Sequence, residues 1–315
     1  MFEALQEMDK ARLDFSDGGL FVLNITIAII MFGVALEIKP AHFVELFRKP
    51  KALVAGVIAQ FLVLPILTFL LIMAFGSNMT IGVAMGMILV AACPGGNVSN
   101  FISTLAKGNA ALSVSLTAIA TISAIVMTPL NFALWGKLYQ AWGPYGESAL
   151  LQQLEIDPWQ MFKTVLILLG IPIVAGMLFN RYFDKATQFI KKPIRIFSII
   201  FFMGMVVMMF ANNYDYFVQY IAWILLIVFL HNALAIGSGY TVGSIARLNS
   251  QNRRTIAIET GIQNSGLGLV LLFNPNIFSP ELPLGGMMIV VAWWGIWHIL
   301  AGLAVAGIWR RRTAN

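Results

Sequence analysis

The sequence predicts an all-helical integral membrane protein with nine transmembrane helices in inverted repeats, two of which are discontinuous. The 315 residues are 59% hydrophobic and 11% charged, with a mean hydropathy of +0.83, whereas soluble domains carry about 25% charged residues. Apolar runs long enough to cross about 30 Å of hydrocarbon occur nine times. Two of these runs are interrupted by clusters of glycine and polar residues, which weaken a helix.

The limits of the predicted spans follow the apolar runs. The spans cover residues 20–38, 53–75, 80–106, 108–135, 159–180, 194–211, 217–245, 255–273 and 283–309. The preceding tail, residues 1–19, is rich in charge and has no apolar core of the kind found in a cleavable signal. The first span is therefore expected to direct insertion into the membrane.

Basic residues predict how the spans are oriented. Most of the 20 lysines and arginines follow spans one, three, five and seven or close the chain. Because such residues are retained in the cytoplasm, we expect the tail 1–19 outside and residues 310–315 inside, in the inner (plasma) membrane of the cell. The net charge of +6 then reflects membrane topology, with lipids as partners and no nucleic acid.

An internal repeat relates the two halves of the chain. IIMFG at residues 29–33 resembles IFFMG at residues 200–204, and spans three and eight share a polar interruption. If spans one to four correspond to spans six to nine, the halves have opposite orientations. Inverted repeats with paired broken helices are typical of secondary transporters. The alternative is chance similarity between two apolar helices.

Span eight contains the most unusual residue, Glu259, within TIAIETGIQNSGLGLV at residues 255–270. An ionisable side chain in a span costs at least about 2.5 kcal/mol, so it indicates a functional site. The residues that follow it weaken the helix and leave polar groups that need partners: Gly261, Gln263, Asn264, Ser265, Gly266 and Gly268. This pattern predicts a broken helix that holds a cation.

Span three contains a second predicted break. Pro94 removes a backbone donor, and the two glycines after it disfavour helix. Asn97 then starts a new half-helix, whose unpaired N–H groups suit an anionic substrate. The side-chain oxygens of Ser99 and Asn100 suit a hard cation. The alternative is a proline kink stabilised by neighbouring hydroxyl groups.

Polar side chains in other spans are further candidates. They are Gln60, Ser113, Thr117, Thr121, His231, Asn232 and His298. The hydroxyl residues, spaced by four, share one helix face, where they either line a site or bond back to their own helix. The amide either binds a ligand or holds helices together, and a lone buried histidine is more often a core residue. The sequence contains no HExxH, GxSxG or Walker motif, which argues against an enzyme.

Three strings, CPGGNVSN, GNAALSVSLT and IETGIQNSGLG, resemble the bile acid:sodium symporter family, and the resemblance runs over nearly the whole chain. It implies inverted repeats, a mobile panel and a core whose two broken helices cross. This chain is similar to the family's ten-helix form without its first helix. The panel then corresponds to residues 20–52 and 159–212, and the core to residues 53–137 and 217–309.

The resemblance also implies binding residues for two sodium ions and for the substrate. The first sodium site corresponds to Ser99, Asn100, Ser113, Thr117 and Glu259, and the second to Gln60, Glu259, Gln263 and the backbone carbonyls of Thr260 and Ile262. Expected substrate contacts are Gly96, Asn97, Asn264 and His298. One departure is that Ile299 follows His298 where bacterial members often have asparagine. This weakens the case for a conjugated bile acid, and pantoate or a 2-keto acid fits at least as well.

The function predicted from these residues is sodium-coupled symport of a small organic anion. Two alternatives stay open at this point. In the first, the same fold couples transport to protons, with Glu259 as the proton carrier. In the second, the protein is a non-concentrating channel or a receptor.

Overall fold

A computed structural model gives the architecture of most of the chain. It describes residues 50–146 and 157–312 except 213, 276 and 280, together with residues 9, 25, 26, 28–33, 35, 36, 148, 151 and 154. The expectations for the tail 1–19, apart from Asp9, and for residues 313–315 lie outside the described residues. The regular structure of the described part is helical, which confirms the all-helical part of the predicted fold class.

Twelve helices carry labels here, in chain order. They are α1 Pro50–Ile58, α2 Leu64–Phe75, α3 Ile81–Ala92, α4 Val98–Leu105, α5 Ala110–Trp142, α6 Pro158–Val165, α7 Ile171–Tyr182, α8 Asp184–Asn212, α9 Tyr214–Ile245, α10 Ser250–Gly261, α11 Ser265–Leu272 and α12 Gly285–Arg312. Short π-helical turns, Ala59–Val63 and Leu166–Gly170, join α1 to α2 and α6 to α7. Each pair therefore forms one continuous rod.

Five helical segments of the described chain are long and apolar enough to cross a membrane. They are Pro50–Asn78, Ala110–Trp142, Pro158–Tyr182, Ala222–Ile245 and Gly285–Arg311, and the apolar helix Ile81–Ala92 is shorter. The count of nine spans and the inverted repeat stay predictions. The helix α8 begins at Asp184, ten residues before residue 194, where the apolar run of predicted span six starts. An apolar run marks the membrane-embedded part of a helix, and α8 extends beyond it with a polar first turn.

Both predicted breaks are present. The helix of span three stops at Ala92 and resumes at Val98, and that of span eight stops at Gly261 and resumes at Ser265. The two interruptions meet in an isolated antiparallel bridge between Gly95 and Gln263. Backbone N–H groups freed by one break thus bond carbonyls freed by the other, which satisfies groups that lipid cannot.

The helix α3 lies at the centre of the described structure. All of its residues are buried, and it packs against α5 and α12. At Gly86 an added Cβ would lie 2.9 Å from the Cα of Met287, so α3 and α12 approach almost backbone to backbone. This small-residue contact is the packing mode expected where lipid supplies no hydrophobic drive between helices. The break after α3 is therefore held in a rigid frame.

The described residues of span one pack against α7 and α8. Asn180 donates to the carbonyl of Leu36 at 2.9 Å, and the rings of Phe32 and Phe179 meet edge to face at 5.7 Å. At Gly33 an added Cβ would collide with Ile194. Parts of spans one, five and six thus form one packed group.

Substituting two glycines of α9 should have opposite effects on stability. At Gly239 an added Cβ would lie 2.7 Å from the carbonyl oxygen of Ile256 and 2.8 Å from the Cα of Ala257. Because backbone atoms cannot give way locally, Gly239→Ala should lower stability by about 1–3 kcal/mol. At Gly237 no atom of the described residues lies within 4 Å of an added Cβ, and Gly237→Ala should gain up to about 1 kcal/mol of helix propensity. Melting in detergent measures both, and equal melting temperatures would contradict the close approach of α9 and α10.

Asp9 should make stability depend on pH. Its carboxylate is buried and accepts hydrogen bonds from the Thr80 hydroxyl at 3.2 Å and from the backbone N–H of Gly82 at 3.1 Å, at the start of α3. Burial raises the pKa of Asp9 from 3.8 to about 7, although both bonds oppose the rise. The folded protein therefore holds a proton that the unfolded chain releases, and stability should fall as pH rises from about 4 to 7. At about 1.4 kcal/mol per pKa unit, the effect reaches roughly 4 kcal/mol.

The measurement is the melting temperature in detergent at pH 5 and pH 8. Asp9→Asn should reduce the difference between the two, because the amide does not titrate. Glu281→Gln, which removes an exposed carboxylate, is the matched control and should keep the wild-type difference. If the melting temperature of Asp9→Asn changed between pH 5 and pH 8 as much as that of the wild type, another group would cause the pH dependence.

Candidate functional site

Glu259 lies in the last turn of α10, just before the break, and its side chain is only 5% exposed. One carboxylate oxygen accepts hydrogen bonds from the hydroxyls of Ser99, at 2.6 Å, and Ser113. The other accepts from the Thr117 hydroxyl at 2.9 Å. The carboxylate thus joins α4, α5 and α10 at one point inside the protein.

The three groups that bond Glu259 are neutral, so they do not cancel its negative charge. Each hydroxyl donates its single proton to the carboxylate and keeps two lone pairs that can bind a cation. A site built from one carboxylate and neutral oxygens carries a net charge of −1. This composition suits a hard monovalent cation, whose charge it would balance.

Asn100 completes the first predicted group. Its side-chain oxygen lies 3.2 Å from the Thr117 hydroxyl, which also approaches the Ser99 hydroxyl at 3.4 Å. The Thr117 hydroxyl has one proton to donate. Of its contacts with other side chains, the one to Glu259 is the shortest. The structure therefore brings all five residues of the first predicted sodium site into one network.

The second predicted group forms a neighbouring network. Gln60, in the π-helical turn Ala59–Val63, donates to the side-chain oxygen of Gln263 and to the carbonyl of Cys93, both at 2.8 Å. Gln263 in turn donates to the carbonyl of Thr260 at 2.6 Å. These contacts join the turn in span two to both breaks. A π-helical turn often marks a functional site.

The remaining member of the second group, Ile262, offers its carbonyl at the crossing. That carbonyl accepts the backbone N–H of Gly96 at 2.7 Å, and the N–H of Asn264 donates to the carbonyl of Pro94 at 2.8 Å. A Cβ added at Gly95 would lie 3.2 Å from the backbone carbonyl oxygen of Glu259 and 3.2 Å from its carboxylate, so Gly95 packs against Glu259. The two predicted groups are thus adjacent across Glu259.

The predicted substrate contacts lie around the same crossing. Asn97 precedes α4, and Asn264 caps α11 by accepting the N–H of Leu267 at 3.0 Å. A Cβ added at Gly96 would lie 2.9 Å from the carbonyl oxygen of Gln263, so Gly96 packs closely against that carbonyl. The N-termini of the half-helices α4 and α11 therefore lie beside the crossing, and each is the positive end of a helix dipole.

His298 lies one helix away, on α12. It is buried, and its Nδ1 atom has no hydrogen-bond partner among the described residues. Gly295, about one turn earlier, lies against Ser265, and Gly302, about one turn later, lies against Ile262. Because these positions share one helix face, His298 lies on the side of α12 that packs against the second break.

Several polar residues proved to be structural. Thr121 donates to the carbonyl of Thr117 at 2.7 Å, so it bonds back to its own helix, as one of the two alternatives predicted. His231 pairs with the Thr68 hydroxyl at 2.7 Å, as a core histidine does. Asn232 donates to the carbonyl of Gly261 at 2.7 Å and so caps the broken end of α10. Sequence reasoning noticed Asn232 but missed this role, because the partner lies in another span.

Comparisons with known proteins agree on one family. The model described as "Sodium Bile acid symporter family" matches residues 24–220, and this match ends before α10. The uncharacterized sodium-dependent transporter YocS of Bacillus subtilis is 33% identical over 311 residues, covering 96% of this chain and 89% of that protein. The probable sodium/metabolite cotransporter BASS1 of Arabidopsis thaliana chloroplasts is 30% identical over 92% of this chain. The chain spans 66% of that plant protein.

Proposed function

The chain belongs to the sodium bile acid symporter family, and from this premise we propose that it takes up a small organic anion together with sodium ions. The family and the similar proteins are sodium-dependent transporters, not enzymes, and the chain is a multi-pass membrane protein. One observation carries the proposal. Glu259 is a buried carboxylate that, within the described part of the chain, is bonded by neutral hydroxyl side chains only, at the crossing of two broken helices.

The first proposed sodium ion is bound by the network of Ser99, Asn100, Ser113, Thr117 and Glu259. Sodium is a hard ion that prefers several oxygen ligands, and this group offers hydroxyl, amide and carboxylate oxygens from three helices. The hydroxyl groups can bind it while they continue to donate to the carboxylate. The negative charge offsets the cost of removing the ion from water.

The second proposed sodium ion is bound beside Gln60 and Gln263, with Glu259 shared between the two ions. Carbonyl oxygens of Thr260 and Ile262 each accept one hydrogen bond already and retain a second lone pair. The side chain of Gln263 would have to turn its oxygen towards the ion. Binding therefore exchanges hydrogen bonds between amides for ion contacts at the break of α10.

The proposed substrate is an organic anion of the bile acid, pantoate or 2-keto acid class. Its carboxylate would meet the N-termini of α4 and α11, where Asn97 and Asn264 present amide groups beside Gly96. His298 contributes a further polar group. Sodium binding on the other side of the crossing would fix the position of both half-helices, so ion and substrate favour each other's binding.

Transport in this proposal follows from movement of the panel, residues 20–52 and 159–212, against the core, residues 53–137 and 217–309. The packing of span one on α7 and α8 supports the panel as one unit. Nine spans in inverted repeats, with the N-terminus outside and the C-terminus in the cytoplasm of a plasma membrane, complete the arrangement.

The test is uptake into proteoliposomes loaded with potassium and diluted into sodium or potassium. Radiolabelled carboxylates chosen by a melting screen, including pantoate, 2-keto acids and taurocholate, serve as substrates. We expect accumulation against the gradient only in external sodium. Accumulation driven by a pH gradient without sodium would support proton coupling, and flux that never exceeds equilibrium would support a channel, so either outcome overturns the proposal.

Removing one hydroxyl from the first site should weaken sodium binding without abolishing it. Ser113→Ala deletes one donor to Glu259 and one ligand, and a hydrogen bond to a charged group is worth about 1.5–3 kcal/mol. We expect the sodium concentration for half-maximal melting shift to rise about 10-fold or more. Ser115→Ala is the matched control, since Ser115 is equally buried on α5 but points about 200° away around the helix. Equal effects of the two variants would place the ion elsewhere.

A further inference from the structure

The ends of α4, α9 and α12 form a rim that carries a concentration of basic side chains. Two loops form it, AKGN at residues 106–109 between α4 and α5, and ARLN at residues 246–249 between α9 and α10. Each loop ends in an asparagine that caps the following helix. The loops thus have the same construction although they belong to different spans.

Consecutive arginines of α10 attach the two loops to each other. Arg254 donates to the carbonyl of Ala106 at 3.1 Å, and Arg253 donates to the carbonyl of Leu248 at 2.6 Å. Asn109 also donates to the side-chain oxygen of Asn252 at 2.9 Å. In these bonds each arginine meets a neutral carbonyl, so the bonds organise the rim and leave its positive charge in place.

The residue at the turn of each loop is basic and has an unusual backbone conformation. Lys107 has φ 58° and Arg247 has φ 51°, and they are the two non-glycine residues with positive φ in the described part of the chain. Glycine is the usual residue at such a position after a helix. Both side chains are exposed. Strained positions of this kind cluster at ligand sites, which makes these two exposed charges candidates for binding a ligand.

Aromatic and apolar side chains surround the charges. The Arg254 guanidinium lies over the ring of Trp309 at 5.9 Å, and Tyr240 packs against the same ring at 5.7 Å. Nearby, Ile245 is 77% exposed and Phe101 is 63% exposed. Tryptophan and tyrosine at the ends of spans mark the level of lipid headgroups. The rim therefore offers cations at headgroup level and apolar contact just below it.

We propose that this rim binds the phosphate headgroup of an anionic phospholipid, with Lys107 and Arg247 holding the phosphate and Trp309, Tyr240 and Ile245 contacting the glycerol and upper acyl chains. Charge complementarity favours an anionic over a zwitterionic headgroup. The exposed apolar side chains favour a lipid over a soluble phosphate, which has nothing to place against them. The bound lipid would bridge the two loops and stabilise the ends of α4 and α9.

The experiment compares melting of the purified full-length protein in detergent with added phosphatidylglycerol or phosphatidylcholine. Phosphatidylglycerol should raise the melting temperature by several degrees more than phosphatidylcholine. The double substitution Lys107→Gly and Arg247→Gly removes both charges and relieves the backbone strain, so folding in detergent alone should be preserved. This variant should lose most of the difference between the lipids.

The matched control is Lys185→Gln with Lys191→Gln, which removes the same charge from α8 and should keep the wild-type response. A full phosphatidylglycerol response in the double glycine variant would overturn the proposal. If the control variant lost the difference between the two lipids to the same extent, the proposal would also be overturned, because lipid binding would then depend only on the net charge of the protein. If inorganic phosphate reproduces the stabilisation, the rim binds a soluble anion and the lipid is excluded as its occupant.

Discussion

Glu259→Gln should abolish sodium-driven accumulation in proteoliposomes, lowering it by about 100-fold or more. The amide has nearly the same shape and can still accept from the Ser99 and Ser113 hydroxyls, so the crossing should keep its packing. It carries no charge, and leaving a buried cation without its anion costs roughly 3–5 kcal/mol. The rise in melting temperature on adding sodium should disappear with uptake, because a ligand stabilises a protein only if it binds the folded state.

Glu281→Gln provides the control for loss of a carboxylate, since Glu281 is exposed and lies between α11 and α12. It should transport and bind sodium like the wild type. Glu259→Asp keeps the charge but shortens the side chain, and it should recover part of the melting shift. A sodium-dependent shift of full size in Glu259→Gln would mean that the ion is bound elsewhere, even if uptake is lost.

Much of this site could be predicted from local sequence because each residue is costly or unusual where it stands. A carboxylate in an apolar run needs partners, and Ser113 and Thr117 share a helix face through their spacing alone. Pro94 with two following glycines predicts a break without reference to the rest of the chain. Both helix interruptions therefore follow from short-range rules, whereas the grouping of the first proposed sodium site follows from the family resemblance.

What short-range rules could not predict is which distant groups meet, and only the family resemblance placed Gln60 and Gln263 at one site. The bond between Gln60 and Gln263 joins residues 203 positions apart, and nothing in either span specifies the other. The π-helical turn that positions Gln60 leaves hydropathy unchanged, so no pattern indicates it. Thr255 bonds Ser103 and the backbone of Asn109, yet from sequence it looks like an ordinary helix threonine. Each of these contacts depends on how helices pack.

The crossing itself makes the ion site and the substrate contacts interdependent. The N–H of Gly96 bonds the Ile262 carbonyl, while Ile262 and its neighbours supply the proposed second ion site. Asn264 caps α11 and bonds the carbonyl of Pro94 through its backbone. A shift of either broken helix would therefore change the ion ligands and the substrate face together. This linkage is the physical basis we propose for coupled binding.

Gly96→Ala should test that linkage by separating the two breaks. The added Cβ would lie 2.9 Å from the carbonyl oxygen of Gln263 and 3.3 Å from its carbonyl carbon, and both are backbone atoms. Such overpacking costs about 1–3 kcal/mol, so we expect uptake and apparent sodium affinity each to fall about 10-fold or more. Gly95→Ala should have a smaller effect, because its contacts begin at 3.2 Å rather than at 2.9 Å.

Gly307→Ala on α12 is the control, since in the part of the chain that the structure describes no atom lies within 4 Å of its added Cβ. The three variants should rank in the order of their contacts, with Gly96→Ala most impaired and Gly307→Ala like the wild type, when uptake and sodium-dependent melting are measured on the same preparations. If Gly96→Ala lost uptake but bound sodium normally, the ion site would not depend on the crossing. Coupling would then have to arise from the substrate face alone, and the shared backbone contacts would not connect the two ligands.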